Sequence, residues 1–218
     1  MGFSTRLRCE SASQSEGAER QLGCSALCCD PFFFRKFILC LERFRTEQQI
    51  LVKGVSFMIE LRLGLPRDHE DIWRILEPVI RAGETYALPR DMGRDEALAY
   101  WTTAGHQCFV AEEDGNILGT YSLRANQAGG GAHVANCGYV TAHEAIGRGI
   151  AGAMCEHSLN VARNAGFRAM QFNFVVASNA RAIALWHRLG FETVGRVPEV
   201  FLHPKRGYTD ALVMYRRL

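Results

Sequence analysis

The sequence lacks a long hydrophobic run, and it lacks an excess of charge of either sign. Its 218 residues include 25 basic and 23 acidic side chains, which gives a formal net charge of +2. The most apolar run, Phe32–Phe34, ends at Arg35, and no segment approaches the ~18 apolar residues that a membrane-spanning helix needs. A balanced charge provides no bulk electrostatic attraction to nucleic acid or to a membrane surface. We therefore expect neither as a partner.

Lysine is scarce from Met58 onward, and this difference in composition divides the chain into two regions at that residue. The 161 residues from Met58 onward contain one lysine and sixteen arginines, and their basic and acidic residues balance at 17 each. The first 57 residues contain five of the eight cysteines, and residues 4–30 are rich in small and polar side chains without a sustained period. We predict that 1–57 is an N-terminal appendage that is disordered, weakly helical around 32–49, or not translated because Met58 is the true start. Residues 58–218 are predicted to form one folded domain.

The cysteines do not form a pattern typical of a metal site or of a disulfide framework. The N-terminal cluster of Cys24, Cys28 and Cys29 has no second ligand pair at zinc-like spacing and no histidine nearby. No secretory signal pattern opens the chain. The cysteines after Met58 lie inside apolar or helical patterns, where a reduced thiol behaves as a small hydrophobic group. We expect reduced cysteines, no metal site and a cytoplasmic location.

Hydrophobic periodicity after Met58 predicts a mixed α/β fold. Asp68 is a good cap for the first helix, and Pro78 is expected to kink or break that helix. The sequence Asp114-Gly115-Asn116 is a strong hairpin signal between two strands. The predicted strands cover 59–65, 107–112, 117–124, 133–141, 168–177, 191–197 and 209–216, and the predicted helices cover 68–80, 91–102, 150–165 and 179–189. This order indicates a mixed central sheet with helices on both faces.

A glycine-rich turn lies between the strand that ends at Thr141 and the helix that begins at Ile150. Glycines at 147, 149 and 152 allow a tight turn and leave its backbone N–H groups uncovered by side chains. A helix N-terminus offers free donors and a positive dipole end, so this turn suits a phosphate group. Spacing alone supports equally the alternative that the glycines only permit a tight connection.

The turn matches neither of the two common nucleotide motifs. It lacks the Lys-Ser/Thr pair of a phosphate-binding loop. Its three glycines have the Gly-x-Gly-x-x-Gly spacing, but the acidic residue that follows the next strand in dinucleotide-binding proteins is missing. Nucleoside triphosphates and NAD are therefore disfavoured as ligands. A pyrophosphate carried by another molecule remains.

Two segments together resemble the GNAT superfamily of N-acetyltransferases. Arg-Gly-Ile-Ala at 148–151 is followed, after one further strand, by Ala184-Leu185-Trp186-x-x-Leu189-Gly190-Phe191. The resemblance covers 59–217 and implies a GNAT-like, splayed central sheet that holds acetyl-coenzyme A (acetyl-CoA). It also implies that the turn binds the pyrophosphate, that the pantetheine arm pairs with the preceding strand end, and that an asparagine contacts the arm. The coenzyme residues so implied are Val140, Thr141, Gly147, Arg148, Gly149, Ile150, Ala151, Gly152 and Asn179.

The chain departs from the family pattern at two positions. Ile146 occupies the first position of the signature around the turn, which matters little if the backbone binds the phosphates. Trp186 stands where the family usually has a tyrosine that protonates the leaving thiolate. An indole N–H is not an acid near neutral pH, so we predict a packing role for Trp186, and the source of that proton stays open.

The residues that handle the acceptor amine are predicted from two asparagines. The strand over 133–139 contains no carboxylate to act as a base, but it offers Asn136, and the next strand offers Asn173. His-Val-x-Asn-x-Gly at 133–138 and Phe-Asn-x-Val-x-x-x-Asn at 172–179 resemble fungal acetyltransferases that act on azetidine-2-carboxylate. That resemblance implies that Asn136 and Asn173 bind and orient the acceptor, with its proton passing to water. The alternative for each is a structural amide whose hydrogen bonds are satisfied.

The expected function is an N-acetyltransferase that moves acetyl from acetyl-CoA to a small amine by direct transfer in a ternary complex. The acceptor is expected to be amino-acid-like, with a cyclic secondary amine as one form. Two alternatives stay open: acetylation of a protein N-terminus or lysine, and a non-catalytic acyl-CoA sensor. His133, Glu144, His203 and Tyr208 are lesser candidates for site residues, and a homodimer is a possible assembly.

Overall fold

The computed structural model describes residues 48–51, 58–103 and 105–218. Those residues contain eight strands and four α-helices. The strands are β1 Gln48–Leu51, β2 Met58–Leu63, β3 Gln107–Glu113, β4 Asn116–Ala125, β5 Val134–Thr141, β6 Ala169–Val176, β7 Glu192–His203 and β8 Gly207–Arg217. The helices are α1 His69–Ala82, α2 Arg94–Thr102, α3 Ile150–Asn164 and α4 Ala180–Arg188.

All eight strands belong to one sheet in the order β1-β2-β3-β4-β5-β6-β8-β7. Neighbouring strands are antiparallel except β5 and β6, which are parallel and pair only at Val134 with Ala169 and at Ala135 with Met170. Beyond these two pairs the strands separate, so the sheet is splayed at its centre. The predicted mixed sheet is confirmed, including its splay.

Side chains along β4 alternate between the two faces of the sheet, and helices cover both faces. The Tyr121 hydroxyl lies 2.7 Å from Nδ1 of His157 on α3. The preceding residue, Thr120, accepts a 3.0 Å hydrogen bond from Nε1 of Trp101 on α2. Since adjacent strand residues point to opposite faces, α2 and α3 lie on opposite sides of the sheet. The predicted placement of helices is therefore confirmed.

Two elements continue past a proline. The break predicted at Pro78 and the strand end predicted at Val197 are therefore wrong, whereas the kink predicted at Pro78 stays a prediction. Helix α1 continues through Pro78 to Ala82, because its apolar face, including Ile72 and Ile80, is buried against the sheet and offsets the lost backbone bond. Strand β7 continues past Val197, although Pro198 has no N–H and the ladder shifts register there before it resumes at Phe201. Packing against the sheet thus keeps α1 helical beyond Pro78, and a bulge allows β7 to continue beyond Val197.

The predicted N-terminal appendage lies largely outside the described residues, as does most of the predicted weak helix over 32–49. Residues Gln48–Leu51 are described, and they form β1, which pairs antiparallel with β2 across Ile50 and Ile59. The sheet therefore includes a strand that precedes the predicted domain start at Met58. None of the helices in the described part of the chain is long and apolar enough to cross a membrane.

Candidate active site

A cleft of about 650 Å³ opens where β5 and β6 separate. Its walls come from β4, β5, β6, the N-terminal turn of α3, the length of α4, the end of α2 and the connection that follows α1. Ten of the residues predicted to bind coenzyme or acceptor line it: Asn136, Val140, Thr141, Gly147, Gly149, Ile150, Ala151, Gly152, Asn173 and Asn179. The structure therefore brings both predicted groups of residues to a single site.

The glycine-rich turn presents free backbone donors to this cleft. Gly147 and Gly149 have φ angles of 91° and 84°, in the left-handed region where a side chain would be strained. Gly149 is the N-cap of α3 and makes no side-chain capping bond. Among the described residues, the N–H groups of residues 150–152 find no acceptor, as expected for a first helical turn. The turn therefore has the geometry and the dipole of an anion site.

Arg148 is the one predicted coenzyme residue that the structure turns away from the cleft. Its backbone N–H donates to the C=O of Ala145 at 3.3 Å, and its guanidinium pairs with the Glu113 carboxylate at 2.6 Å. Arg181, from the first turn of α4, stands in its place: its Nη2 lies 3.6 Å from the position that a Cβ on Gly147 would take. The carboxylate of Glu113 explains the direction that Arg148 takes.

Asn179 has a structural role as well as a place in the cleft. Its side-chain oxygen accepts a 3.2 Å hydrogen bond from the N–H of Ala182 and so caps α4. Its backbone N–H donates to the C=O of Val176 at 2.9 Å. The Nδ2 group is the part of this side chain that is left for a ligand in the cleft.

The inner edge of β5 is open where Val140 and Thr141 lie. On one side these residues pair with Thr120 and Gly119 of β4. On the other side, the ladder to β6 among the described residues ends at Ala135. An extended ligand arm is therefore able to pair with β5 as an added strand.

Asn136 ties the two parallel strands together at the point where they diverge. Its Nδ2 donates to the C=O of Gln171 at 2.8 Å, so half of the amide is structural. Its carbonyl oxygen makes no hydrogen bond within the described residues, and the side chain lines the cleft. The free oxygen can accept a hydrogen bond from an amine.

Asn173 lies at the rim of the cleft and belongs to a chain of amides. Its Oδ1 accepts from Nε2 of Gln171 at 2.8 Å, and its Nδ2 donates to Oδ1 of Asn126 at 2.6 Å. Both polar atoms therefore have protein partners, as the structural alternative predicts. Gln171 links Asn173 to Asn136, because its backbone C=O is the acceptor for the Asn136 amide.

Sequence reasoning missed the side chains on the Asn136 side of the cleft that come from the α1–α2 connection, α2, the α2–β3 connection and β4. They are Tyr86, Tyr100, Trp101, His106, Ser122 and Arg124. The Tyr86 hydroxyl donates to the C=O of Tyr139 at 3.1 Å. A Cβ on Gly138 would lie 3.1 Å from that hydroxyl, so the glycine is what admits Tyr86 to the middle of β5. The one sequence signal for this wall was the polar alternation within β4.

Trp186 packs in the core, as predicted. It is 8% exposed, and its ring centroid lies 5.1 Å from those of Tyr139 and Phe172. The lesser candidates do not line the cleft. The Glu144 carboxylate pairs with Arg74 at 2.8 Å, and His203 is buried, where its Nδ1 accepts from a backbone N–H. The described residues contain no group of His, Cys, Asp or Glu side chains placed to hold a metal ion.

Comparison with known proteins gives a consistent family. The model of the acetyltransferase (GNAT) family matches residues 70–191, more than half of the chain. The N-acetyltransferase aca1 of Schizosaccharomyces pombe is 27% identical over 151 residues, which are 62% of this chain and 72% of that protein.

Solved structures agree with that family. A GCN5-related N-acetyltransferase from Kribbella flavida is 38% identical with a TM-score of 0.71, and the match covers 73% of this chain and 98% of that one. A phosphinothricin acetyltransferase from Sinorhizobium meliloti, in complex with acetyl-CoA, is 23% identical with a TM-score of 0.65 over 73% of this chain and 88% of that one. This second likeness shows the fold alone. The predicted resemblance is confirmed: the chain belongs to the GNAT family and is an N-acetyltransferase.

Proposed function

We propose that the protein binds acetyl-CoA in the cleft between β5 and β6 and transfers the acetyl group to the amine of a small molecule. The observation that carries this proposal is the meeting of a turn of free N–H groups with an open strand edge in one cleft of about 650 Å³. Such a cleft offers an anion site for a diphosphate at one end and strand-like hydrogen bonding along its length. The presence of acetyl-CoA in the S. meliloti structure of the same fold supports this choice of ligand.

The coenzyme would lie with its diphosphate at the N-terminus of α3. The N–H groups of Gly147 and residues 149–152 would donate to the phosphate oxygens, and Arg181 would add a positive charge beside them. The pantetheine arm would pair with Val140 and Thr141 along the open edge of β5. Arg148 is not part of this arrangement, because its guanidinium is held by Glu113.

Acetyl transfer follows as a direct attack of the amine on the thioester carbonyl. The amine nitrogen would first form the new C–N bond, which gives a tetrahedral intermediate whose oxyanion a backbone N–H of β5 stabilises. Collapse of that intermediate would then break the C–S bond and release the thiolate of coenzyme A. The Asn136 carbonyl oxygen would accept a hydrogen bond from the amine and orient its lone pair. The amine proton would pass to water, because an amide is not a base and the described cleft lining contains no carboxylate. Trp186 cannot protonate the thiolate, so that proton would also come from water.

The test is a thiol-release assay on the full chain with acetyl-CoA and a panel of cyclic and linear amines, read alongside calorimetry with acetyl-CoA. We expect Asn136→Ala to lower turnover by about tenfold or more, from the loss of one hydrogen bond to the reacting nitrogen. Acetyl-CoA affinity should stay unchanged. Asn160→Ala, which alters an exposed asparagine of α3 outside the cleft, is the matched control. Unchanged turnover in Asn136→Ala would remove this asparagine from the mechanism.

One observation concerns Asn173, the second asparagine predicted to hold the acceptor. Both polar atoms of Asn173 are already bonded to protein groups, so this asparagine does not offer the acceptor the free amide that was predicted. Acetyl-CoA binding without turnover on any amine of the panel would count against the proposed transfer to a small-molecule amine. The cytoplasmic location and the homodimer stay predictions.

A further inference from the structure

The charges that line the cleft are all of one sign. Arg124, Arg181 and Arg188 face it, and the described residues that line it include neither aspartate nor glutamate. A cationic acceptor, such as a polyamine or a lysine side chain, would therefore find three positive charges and no counter-ion. An acceptor that carries a negative charge could pair with one of these arginines.

Arg124 is the cation on the acceptor side of the cleft. It lies directly opposite Asn136 in the ladder between β4 and β5, so the two side chains leave the same face of the sheet. Directly opposed residues of this kind have Cβ atoms about 5 Å apart. Arg181 stands instead beside Gly147, at the diphosphate end. The position of Arg124 therefore suits a charge close to the nitrogen that Asn136 orients.

The guanidinium of Arg124 is held in place by neutral groups. It lies over the ring of Tyr100, 5.9 Å from the centroid, and its Nη1 is 3.2 Å from Nε2 of His106. Ser122 donates its hydroxyl hydrogen to the C=O of Trp101, so its oxygen accepts from the Nδ1–H of His106 and leaves Nε2 as the acceptor for Arg124.

No anion neutralises this guanidinium within the described residues. Burial and the charge of Arg124 lower the pKa of His106, which keeps the imidazole neutral and able to accept. One N–H of Arg124 donates to His106, and the described residues supply no carboxylate for the others. A rigid, uncompensated guanidinium facing a cleft has the donor geometry that binds a carboxylate.

We propose that Arg124 binds the carboxylate of the acceptor and thereby selects amines that carry a carboxylate on the carbon next to the nitrogen. This inference rests on the proposed function and names its substrate class as α-amino and α-imino acids. In such a molecule the nitrogen and the carboxylate are separated by one carbon, so Asn136 and Arg124 can hold both groups at once. Arg124 is thus a specificity-determining residue, and peptides and polyamines are excluded as preferred acceptors.

The test compares L-proline with L-prolinamide, which differ in the negative charge, in the wild type, Arg124→Gln and Arg124→Lys. We expect the wild type to prefer proline, and Arg124→Gln to reduce that preference in kcat/KM by about 10- to 100-fold, the value of a charge-assisted pair. Because the ratio between variants is compared, the different basicity of the two amines cancels. Arg124→Lys should keep part of the preference. Arg168→Gln, an exposed arginine outside the cleft, makes the same change in net charge and should leave the preference intact.

Equilibrium binding separates this proposal from the catalytic one. N-acetyl-L-proline, titrated calorimetrically in the presence of coenzyme A, should bind the wild type and Arg168→Gln alike and bind Arg124→Gln about 10-fold or more weakly. A wild type that turns over no amine of the panel would overturn the proposed function, while the titration still decides the role of Arg124. Equal preference for proline in wild type and Arg124→Gln, or equal affinity for N-acetyl-L-proline, would overturn the assignment of Arg124.

Discussion

We expect acid to destabilise this protein through one buried histidine, His157. His157 lies on α3 and is 7% exposed, and its Nδ1 lies 2.7 Å from the Tyr121 hydroxyl. Burial lowers the pKa of His157 to about 4, from 6.5 in the unfolded chain. Between these two pH values the unfolded state binds a proton that the folded state does not bind. The free energy of unfolding therefore falls as the pH falls from 6.5 towards 4.

The size of this effect follows from the two pKa values. Each unit between them is worth about 1.4 kcal/mol, so His157 removes about 3 kcal/mol of unfolding free energy between pH 6.5 and pH 4. Below about pH 4 both states are protonated and this contribution becomes constant. A loss of this size is a large part of the stability of a small domain.

The assay is urea unfolding at intervals between pH 7.5 and pH 4, for the wild type and for His157→Gln. Glutamine keeps an acceptor for the Tyr121 hydroxyl and does not titrate, and every other group is common to both proteins. We expect the wild-type unfolding free energy to fall more steeply with decreasing pH, by about 1.4 kcal/mol per unit between pH 6.5 and 5. Parallel pH profiles for the two proteins would refute the reasoning.

Two further predictions concern the turn and the edge of the sheet. Gly147→Ala places a side chain at φ 91°, so it should distort the turn and weaken acetyl-CoA binding about 10-fold in calorimetry, whereas Gly166→Ala at φ 87°, outside the cleft, should lose similar stability and bind normally. Equal affinities would contradict an anion site at the turn. Arg62→Gln should cost about 3 kcal/mol in urea unfolding, because Asp68 is 4% exposed and loses its 2.7 Å partner. Adding Asp68→Asn should restore part of that loss, and no restoration would contradict a pairing effect.

Local patterns predicted most of the secondary structure and the end of the cleft that the glycine-rich turn forms. The glycine turn, the hairpin at Gly115 and the helices of the domain depend on residues close in sequence, and these predictions match the structure. The predicted break at Pro78 and the predicted strand end at Val197 are wrong because tertiary packing outweighs local propensity. β1 was missed because its pairing with β2 joins segments on either side of a composition boundary at Met58.

The acceptor side of the cleft escaped prediction because its contacts are long-range. The partner of Asn136 is a backbone carbonyl 35 residues away, and no sequence pattern identifies a backbone acceptor. Arg124 and His106 lie 18 residues apart in the chain and meet only because the turn of β3 into β4 returns one beside the other. Single arginines in a strand usually face solvent, so the polar alternation within β4 did not indicate that this one faces a cleft.

Only two residue pairs join β5 to β6, so the centre of the sheet is its weakest strand junction. One half of the sheet contains β1 to β5, and the other contains β6, β8 and β7. The side-chain amide of Asn136 adds a hydrogen bond between the two halves. A pantetheine arm along the open edge of β5 would fill the gap between the two halves of the sheet and pair as a transient strand. In that case each catalytic cycle assembles and dismantles part of the sheet, and the fold depends for its completion on the molecule it consumes.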